Sequence, residues 1–434
     1  MEAGLKHSTA AASGTSRRYA WSVVGMLWLV CFFNYADRQA IFAVFPKLKE
    51  EFGFDKVQLG LIGSAFMWVY AGAAPVAGFV GDRIARRHLI LGGCVFWSLV
   101  TVCTGWCHKL WHFVTVRALE GFGETFYFPA SMSLLSDYHS ARTRSRAMSV
   151  HQSSVYAGTI LGSWVGALLA ETWGWRAGFW LFGGAGIVLA LVLYSFLREP
   201  VRGASEPVDA PAVPEAPLSL RETAREVLGK PVALLLMGVF MGANFVATIF
   251  LTWTPTFLVE KFGFRLSAAG LSGTVFIHLA SAMSVPLGGY LADRWSARFR
   301  GGRVLVQAIG LLVGSVWVVF VGLTTNATTL VVSMTAFGLC KGFYDSNIFA
   351  SLYDVVTPRA RGTAAGLMNT VGWGGGALGP VFVGLAAKYG SGASEVENMS
   401  RAIAFGGVIY IACAVLLLLG AWQMHRRSKL SPAP

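Results

Sequence analysis

Seven ionisable residues stand inside runs otherwise apolar enough to cross a bilayer. Asp37 and Arg38 are neighbours in NYADRQAI, directly after the apolar run Trp21–Phe33; Arg117, Glu120 and Glu124 follow in VRALEGFGETFYFPA, and Lys341 and Asp345 in LCKGFYDSNIFA. A charge at mid-membrane costs at least about 2.5 to 3.5 kcal/mol on insertion scales, so these residues are expected to line an aqueous cavity, paired or protonated. The chemistry open to them is proton exchange linked to an anion. When an anion competes for Arg38, Asp37 loses its counter-charge and gains affinity for a proton; when the anion leaves, the pair re-forms. Glu124 has no adjacent base in sequence, and desolvation favours its protonated form. Asp37 and Glu124 are therefore the proton-coupling candidates, against the plainer reading of a salt bridge locking the first apolar run to the fourth. Glu120, Lys341 and Asp345 are further cavity charges, and Glu120 and Lys341 could simply pair with each other across the interface between two halves.

The chain that must position them has 434 residues, 55% hydrophobic and 13% charged, with a mean hydropathy of +0.57. Soluble domains carry about a quarter charged residues, so the composition is that of a polytopic membrane protein. Twelve runs of about 20 residues, the length that spans a bilayer as a helix, fall at 18–45, 57–80, 88–107, 111–137, 146–170 and 176–197, then at 231–257, 266–291, 303–323, 328–353, 362–387 and 402–424. Between the two sixes, residues 198–230 include PVDAPAVPEAP and a short amphipathic stretch, LRETAREVL; this reads as a linker. The predicted organisation is a tail (1–17), a six-helix bundle (18–197), the linker (198–230), a second bundle (231–424) and a tail (425–434).

The net charge of +13 does not point to nucleic acid, because the basic residues sort by membrane side. With both termini cytoplasmic, 23 of the 35 Lys and Arg lie on the inner side, 9 on the outer and 3 within the runs, as the positive-inside rule requires. The first apolar run is too long and too poorly followed by a cleavage site to be a signal peptide, so it is expected to be retained. Six cysteines lie in or beside the apolar runs with no His or acidic partner to complete a ligand set, so no metal and no cofactor other than the proton is expected.

The two sixes repeat the same devices in the same order. GFVGDRIARR ends the second run and GGYLADRWSAR the eighth, each with Asp four residues after Gly; Glu120, Gly121 and Glu124 align with Lys341, Gly342 and Asp345; and Arg144 precedes Gly162 by the 18 residues that separate Arg361 from Gly379. Parallel repeats joined by a loop define carriers with a central site near the midplane. The stretch Gly78–Arg87, with Asp82, Arg83, Arg86 and Arg87, resembles the signature of the major facilitator superfamily, with Ala85 where a second glycine is common. Such a stretch and its counterpart at Asp293 and Arg294 are expected to latch the cytoplasmic face in one state and release it in the other.

The resemblance narrows with NYADR, Tyr70, the R-x-x-x-G-x-x-E pattern that the fourth run carries as RALEGFGE, RAMSVHQSSVYAG, Ser346-Asn347 and Asn369. Together these are similar to the anion:cation symporter branch, which includes D-galactonate, hexuronate and phthalate permeases and vesicular glutamate carriers. The resemblance implies an all-α, twelve-helix carrier that takes up a small organic anion, a carboxylate or sugar acid, with protons. It further implies that Tyr35, Arg38, Tyr70 and Arg117 hold the carboxylate and nearby hydroxyls, that Gln152, Ser346 and Asn369 add polar contacts, and that Asp37 and Glu124 titrate. Where sugar-acid permeases carry a second Gln, this chain has Val155, which argues for a less hydroxylated or aromatic acid. NYADR with GFGETFY is also similar to Spinster-like carriers of lysolipids, the alternative substrate class. Neither a phosphate-binding loop, H-E-x-x-H nor G-x-S-x-G with partners is present, so an enzyme or ATP-driven pump is not expected. An uncoupled uniporter stays open. A sensor would be expected to carry more than tails of about 17 and 10 residues. A monomer in the cell's inner or plasma membrane, with lipid and the anion as partners, completes the expectation.

Overall fold

The computed structural model describes residues 16–81, 83–200, 220–298, 301–357 and 361–430, and all their regular elements are helices. The first half comprises α1 (Arg17–Ala43), α2 (Phe45–Phe52), α3 (Lys56–Gly81), α4 (Arg86–Thr104), α5 (Leu110–Thr125), α6 (Tyr127–Tyr138), α7 (Ala141–Thr172) and α8 (Trp175–Phe196). A linker helix, α9 (Leu220–Leu228), is the amphipathic stretch expected there. The second half comprises α10 (Pro231–Phe262), α11 (Leu266–Ser296), α12 (Gly302–Leu323), α13 (Ala327–Asp345), α14 (Ile348–Tyr353), α15 (Arg361–Gly376), α16 (Leu378–Tyr389) and α17 (Glu395–Leu430).

Among the described residues ten helical stretches are long and apolar enough to cross a membrane, with α15 and α16 counting as one over Thr363–Tyr389. The fourth and tenth expected runs are the exceptions, and both are broken rods. Pro129 removes an N–H and crowds the preceding turn, so α5 ends at Thr125 and α6 restarts at Tyr127. The Thr125 hydroxyl takes the Gly121 carbonyl at 2.6 Å. Asn347 plays the matching part in the second half: its amide donates to the carbonyls of Phe343 (3.0 Å) and Gly288 (3.2 Å) between α13 and α14. Both rods also carry the intramembrane charges that lower their hydropathy. Large apolar side chains such as Val188, Leu191, Phe320 and Leu419 point outward, as an exterior facing lipid requires.

The linker helix is pinned to the second half. Glu226 accepts from the Thr357 N–H and hydroxyl, both at 3.0 Å, and Lys230 donates to Glu226 and to the Val355 carbonyl.

The two halves meet along a seam at the face opposite the chain ends, here the far face. Backbones come close there because glycines allow it: a Cβ at Gly60 would strike the Pro380 carbonyl, one at Gly384 the Lys56 carbonyl, and one at Gly270 the Ser163 carbonyl. Charges then tie the edges. The fully buried Lys56 pairs with Glu260, Lys49 reaches Glu395 at 3.2 Å and Glu260 at 3.7 Å, Lys388 holds Asp55 at 2.7 Å, and Glu171 accepts from the Ser267 N–H at 3.0 Å. Deeper, Gln39 donates to the Leu251 carbonyl at 2.8 Å, and Tyr70 meets Trp373 and Tyr156 meets His278 ring to ring.

Removing one partner of a buried pair strands the other. Lys56→Ala is therefore expected to shift the molecule toward a far-face-open form. Spin labels at positions 111 and 323, on opposite halves at that face, should report a longer-distance population; an unchanged distribution would show that this pair does not hold the seam. Asp55 adds a pH term. Burial pushes its carboxyl up, but the Lys388 ammonium and the N–H groups of Gln58 and Val57 outweigh that and hold it below the ordinary range. A lowered pKa makes this contribution to closure complete above the ordinary carboxylate value of about 3.9 and loses it as pH falls further. The same labels should thus show closure unchanged from neutral pH down to that value, with an acid-induced opening that Asp55→Asn removes.

Candidate functional site

The intramembrane charges of the first half converge from α1 and α5, with α4 behind them. Sequence explains why α1 can carry them into so tight a place. Gly158, Gly162 and Gly166 form one stripe of α7, and a Cβ at these positions would fall on Phe32 O, the Ala36 backbone and Ala40 respectively. This small-residue stripe draws α7 onto the turn of α1 that bears Tyr35, Asp37 and Arg38. Gly121 does the same for α5 against the Phe66 carbonyl of α3. The second half repeats the device: Gly372, Gly376 and Gly379 lie against Phe240, Asn244 and Thr248 of α10.

Asp37, Arg38, Arg117, Glu120 and Glu124 are each at most 8% exposed. Their pairing differs from the one sequence adjacency suggests. Arg38 does not pair through its guanidinium with Asp37; it pairs with Glu124, donating from Nε at 2.9 Å and also from Nη2, and it donates to Asn34 Oδ1 at 3.2 Å. Glu124, which has no basic neighbour in sequence, thus has one in space. Asp37 accepts from its neighbour's backbone N–H at 2.7 Å and meets the Thr101 hydroxyl of α4 at 3.1 Å. Glu120 pairs with Arg117 one turn away, and Lys341 pairs with Asp345, which corrects the pairing of Glu120 with Lys341 across the interface. An ion pair three or four residues along one helix needs no long-range contact.

Aromatic rings pack against the two guanidinia. The Arg38 guanidinium lies 4.5 Å from the Tyr35 and Phe66 ring centres and 5.5 Å from Tyr70; Arg117 lies 4.7 Å from Phe66. Phe66 therefore contacts both guanidinia, a cation–π role that a Phe in an apolar run does not advertise. Carboxylate oxygens of Asp37, Glu120 and Glu124 all lie within 4.8 Å of one another. Three acids thus face two guanidinia, one acid more than the cations can neutralise. Among the described residues Arg117 Nε and Nη2 and Glu124 Oε1 are buried without a hydrogen-bond partner, so the cluster's hydrogen-bonding capacity exceeds what its own side chains use.

The remaining candidates spread around this centre. Gln152 is exposed one turn from Tyr156, the residue that meets His278 across the seam. Ser346 is half-buried and hydrogen-bonded within the α13–α14 break at 2.8 Å to Asn347, and Asn369 is half-buried on α15. Val155 packs against the apolar cluster around Cys31 and Tyr127. His151, buried, is paired with the Tyr127 hydroxyl at 2.8 Å.

Of the latch residues, Asp82 lies outside the described residues, and Gly78 falls in α3. Arg83 and Arg294 are exposed. Arg86 is 2% exposed and joins Asp137, Ser133 and Glu199, tying α4, α6 and the end of α8. Arg87 donates its N–H to Glu199 at 2.8 Å. In the second half Arg303 joins Asp293 at 2.8 Å and approaches Asp354 at 3.6 Å. Arg86 with Asp137 and Arg303 with Asp354 are comparable staples, each inside its own half, that the sequence reading missed; Asp137 lies in the last turn of α6 and Asp354 caps the end of α14.

Two repeated helical bundles, the first enclosing a buried charge cluster, define a multi-pass integral membrane carrier. The chain belongs to the Major Facilitator Superfamily, whose family model matches residues 27–380 and 279–433. Among individual proteins it is similar to the sodium-dependent phosphate transport protein 1 of Arabidopsis thaliana chloroplasts, 28% identical over 86% of this chain and 74% of that one. It is also similar to protein spinster homolog 1 of Homo sapiens, 32% identical over 59% of this chain and 48% of the relative. A solved structure of a bacterial homologue of the human lysosomal transporter Spinster, inward-facing and unoccupied, superposes with a TM-score of 0.82 at 22% identity, covering 96% of this chain and all of that one; this likeness establishes the fold.

Because Gly162 meets backbone rather than a movable side chain, Gly162→Ala should overpack α7 against α1 and cost about 1–3 kcal/mol. The expected result is a lower Tm in detergent. A Tm equal to that of the parent would show that α1 is not held by this stripe.

Proposed function

We propose that the protein is a proton-coupled symporter that takes up a small organic anion, a carboxylate or sugar acid, by alternating access. The observation that carries this reading is the surplus acid: three buried carboxylates share two guanidinia, and Arg117 keeps two unpartnered donors. A buried unpaired carboxylate is costly, so the cluster favours one proton, and an anion arriving at Arg117 brings a further negative charge that a second proton offsets. Protonation of Glu124 releases Arg38, whose Nε and Nη2 then face the cavity beside Tyr35 and Tyr70. Relatives named as anion and phosphate transporters support the anion.

In this reading α5–α6 and α13–α14 serve as the fourth and tenth of twelve crossings, both termini lie in the cytoplasm, and a monomer works in the cell's inner or plasma membrane. Residues 18–197 and 231–424 rock against each other about the site, joined by 198–230. Protons load Asp37 and Glu124 from outside, the far-face seam closes over the anion, the latches at Asp82 and Asp293 open, and proton and anion leave inward. The 32% identity to a Spinster homologue favours, as a second reading, a lysolipid substrate at the same coupling acids.

Proteoliposomes holding a pH-sensitive dye test both. Sugar acids, short carboxylates and aromatic acids added outside should acidify the lumen with one class; a response to lysophospholipid alone would move the assignment to the second reading. Asp37→Asn should abolish proton-driven accumulation, and accumulation at the parent level would remove Asp37 from the proton path. Arg117→Ala should weaken anion binding by about 10- to 100-fold, the loss of a charged hydrogen bond worth about 1.5–3 kcal/mol; an unchanged affinity would take Arg117 out of the site.

A further inference from the structure

Thr101 of α4 is fully buried, and its Oγ lies within hydrogen-bond distance of three oxygens: Asp37 Oδ2 at 3.1 Å, Glu120 Oε1 at 2.9 Å and the Trp97 carbonyl at 2.9 Å. A hydroxyl has one proton and donates once, while a carbonyl only accepts. Thr101 therefore satisfies at most one of the two carboxyl groups by donation. The other contact is favourable only if that carboxyl carries a proton and donates to Thr101 Oγ. Glu120 has the Arg117 guanidinium on its second oxygen and is the one kept ionised. Asp37 has only a backbone N–H on Oδ1. The other groups facing the pair do not change this assignment: Arg38 is engaged by Glu124 and Asn34, and the Cys94 thiol of α4 donates to the Gly186 carbonyl.

We propose that Thr101 is the positioning residue that links the proton site to the anion site, through the chain Asp37 Oδ2–H to Thr101 Oγ–H to Glu120 Oε1, with Arg117 beyond. The proposal rests on the symport reading above. With Asp37 protonated, Thr101 donates to Glu120, which then depends less on Arg117, and the guanidinium is freer for an incoming anion. When Asp37 releases its proton to water, its O–H bond breaks and the Thr101 hydroxyl turns to donate to the new carboxylate; no bond in Thr101 is broken. Glu120 Oε1 loses its donor and draws Arg117 closer. Proton and anion therefore favour each other's binding, the positive coupling that co-transport requires. None of the sequence patterns marked Thr101, because a Thr in an apolar helix ordinarily bonds back to its own carbonyl at i−4; here that carbonyl, of Trp97, stands at 2.9 Å as a competitor for the one hydroxyl proton.

The test compares purified full-length wild type, Thr101→Val and Thr101→Ser. Binding of benzoate and gluconate, one aromatic and one polyhydroxylated carboxylate, is measured at mildly acidic and mildly alkaline pH. The expected wild-type protein binds one of them more tightly in acid; that acid-to-alkaline affinity ratio falls by about fivefold or more in T101V and recovers in T101S. A pH-dependent wild type with the same ratio in T101V would overturn the bridge and leave the symport reading standing. A wild type whose affinity for both probes ignores pH would overturn the symport reading and the bridge with it. Infrared difference spectra during pH titration give a readout that needs no anion and no change at Thr101. In an E124Q background, which removes the other proton-loading acid of the cluster, the protonated-carboxyl C=O band should vanish when D37N is added and persist when E120Q is added; a band that vanishes with E120Q and persists with D37N would place the proton on the wrong acid and overturn the proposal.

Discussion

A buried cluster in the first half that sets three acids against two guanidinia is the constraint around which this molecule is arranged. Each guanidinium must keep a carboxylate, because a lone buried charge costs several kcal/mol, and the acid left over must share its charge with a proton or a hydroxyl. Such a cluster survives only if no side chain can swing away and no lipid can reach it. The glycine stripe of α7, the close approach of α5 to α3 at Gly121 and the Phe66 ring between the two arginines answer that requirement. The break in the rod follows directly on the last of these charges, α5 ending at Thr125, one residue after Glu124.

The second half uses the same plan with different chemistry. Where the first half places Glu120 and Glu124, the second places Lys341 and Asp345, which neutralise each other. That half has no counterpart to Arg38 of α1, as α10 reads VALLLMGVFMGANFVATIF over the corresponding stretch. The asymmetry puts the unbalanced charge in one bundle and leaves the other with a pair that neutralises itself. Staples at Arg86 and Arg303 keep each bundle intact at the face of the chain ends, so movement between the halves need not disturb the packing within them.

Much of this was legible in sequence because the membrane makes charge conspicuous. The apolar runs, the internal repeat and Asp37, Arg38, Arg117 and Glu124 could be read from polar residues out of place. Their partners could not. Successive helix residues point about 100° apart, so Asp37 and Arg38, though adjacent, turn to different neighbours, and only the packing of α1 on α5 pairs Arg38 with Glu124. Glu120 and Lys341 matched by alignment, yet each found an opposite charge within a turn of its own helix. Phe66 and Thr101 stayed hidden because their residue types are ordinary in an apolar run. Ten crossings rather than twelve satisfy length and hydropathy for the same reason that the site exists: the two interrupted rods gave up apolar length to charge.

The seam at the far face has a consequence for inherited variation in this protein. Gly60, Gly270 and Gly384 contact backbone of the opposite half, and in the proposed alternating-access cycle that contact belongs to the form closed at the far face. A methyl group added at such a position leaves both bundles folded and penalises the closed form alone. By population arithmetic, about 1.4 kcal/mol there moves the balance between forms tenfold. Substitutions at these glycines would therefore act as changes of set-point, altering which side the carrier waits on while its substrate chemistry stays the same.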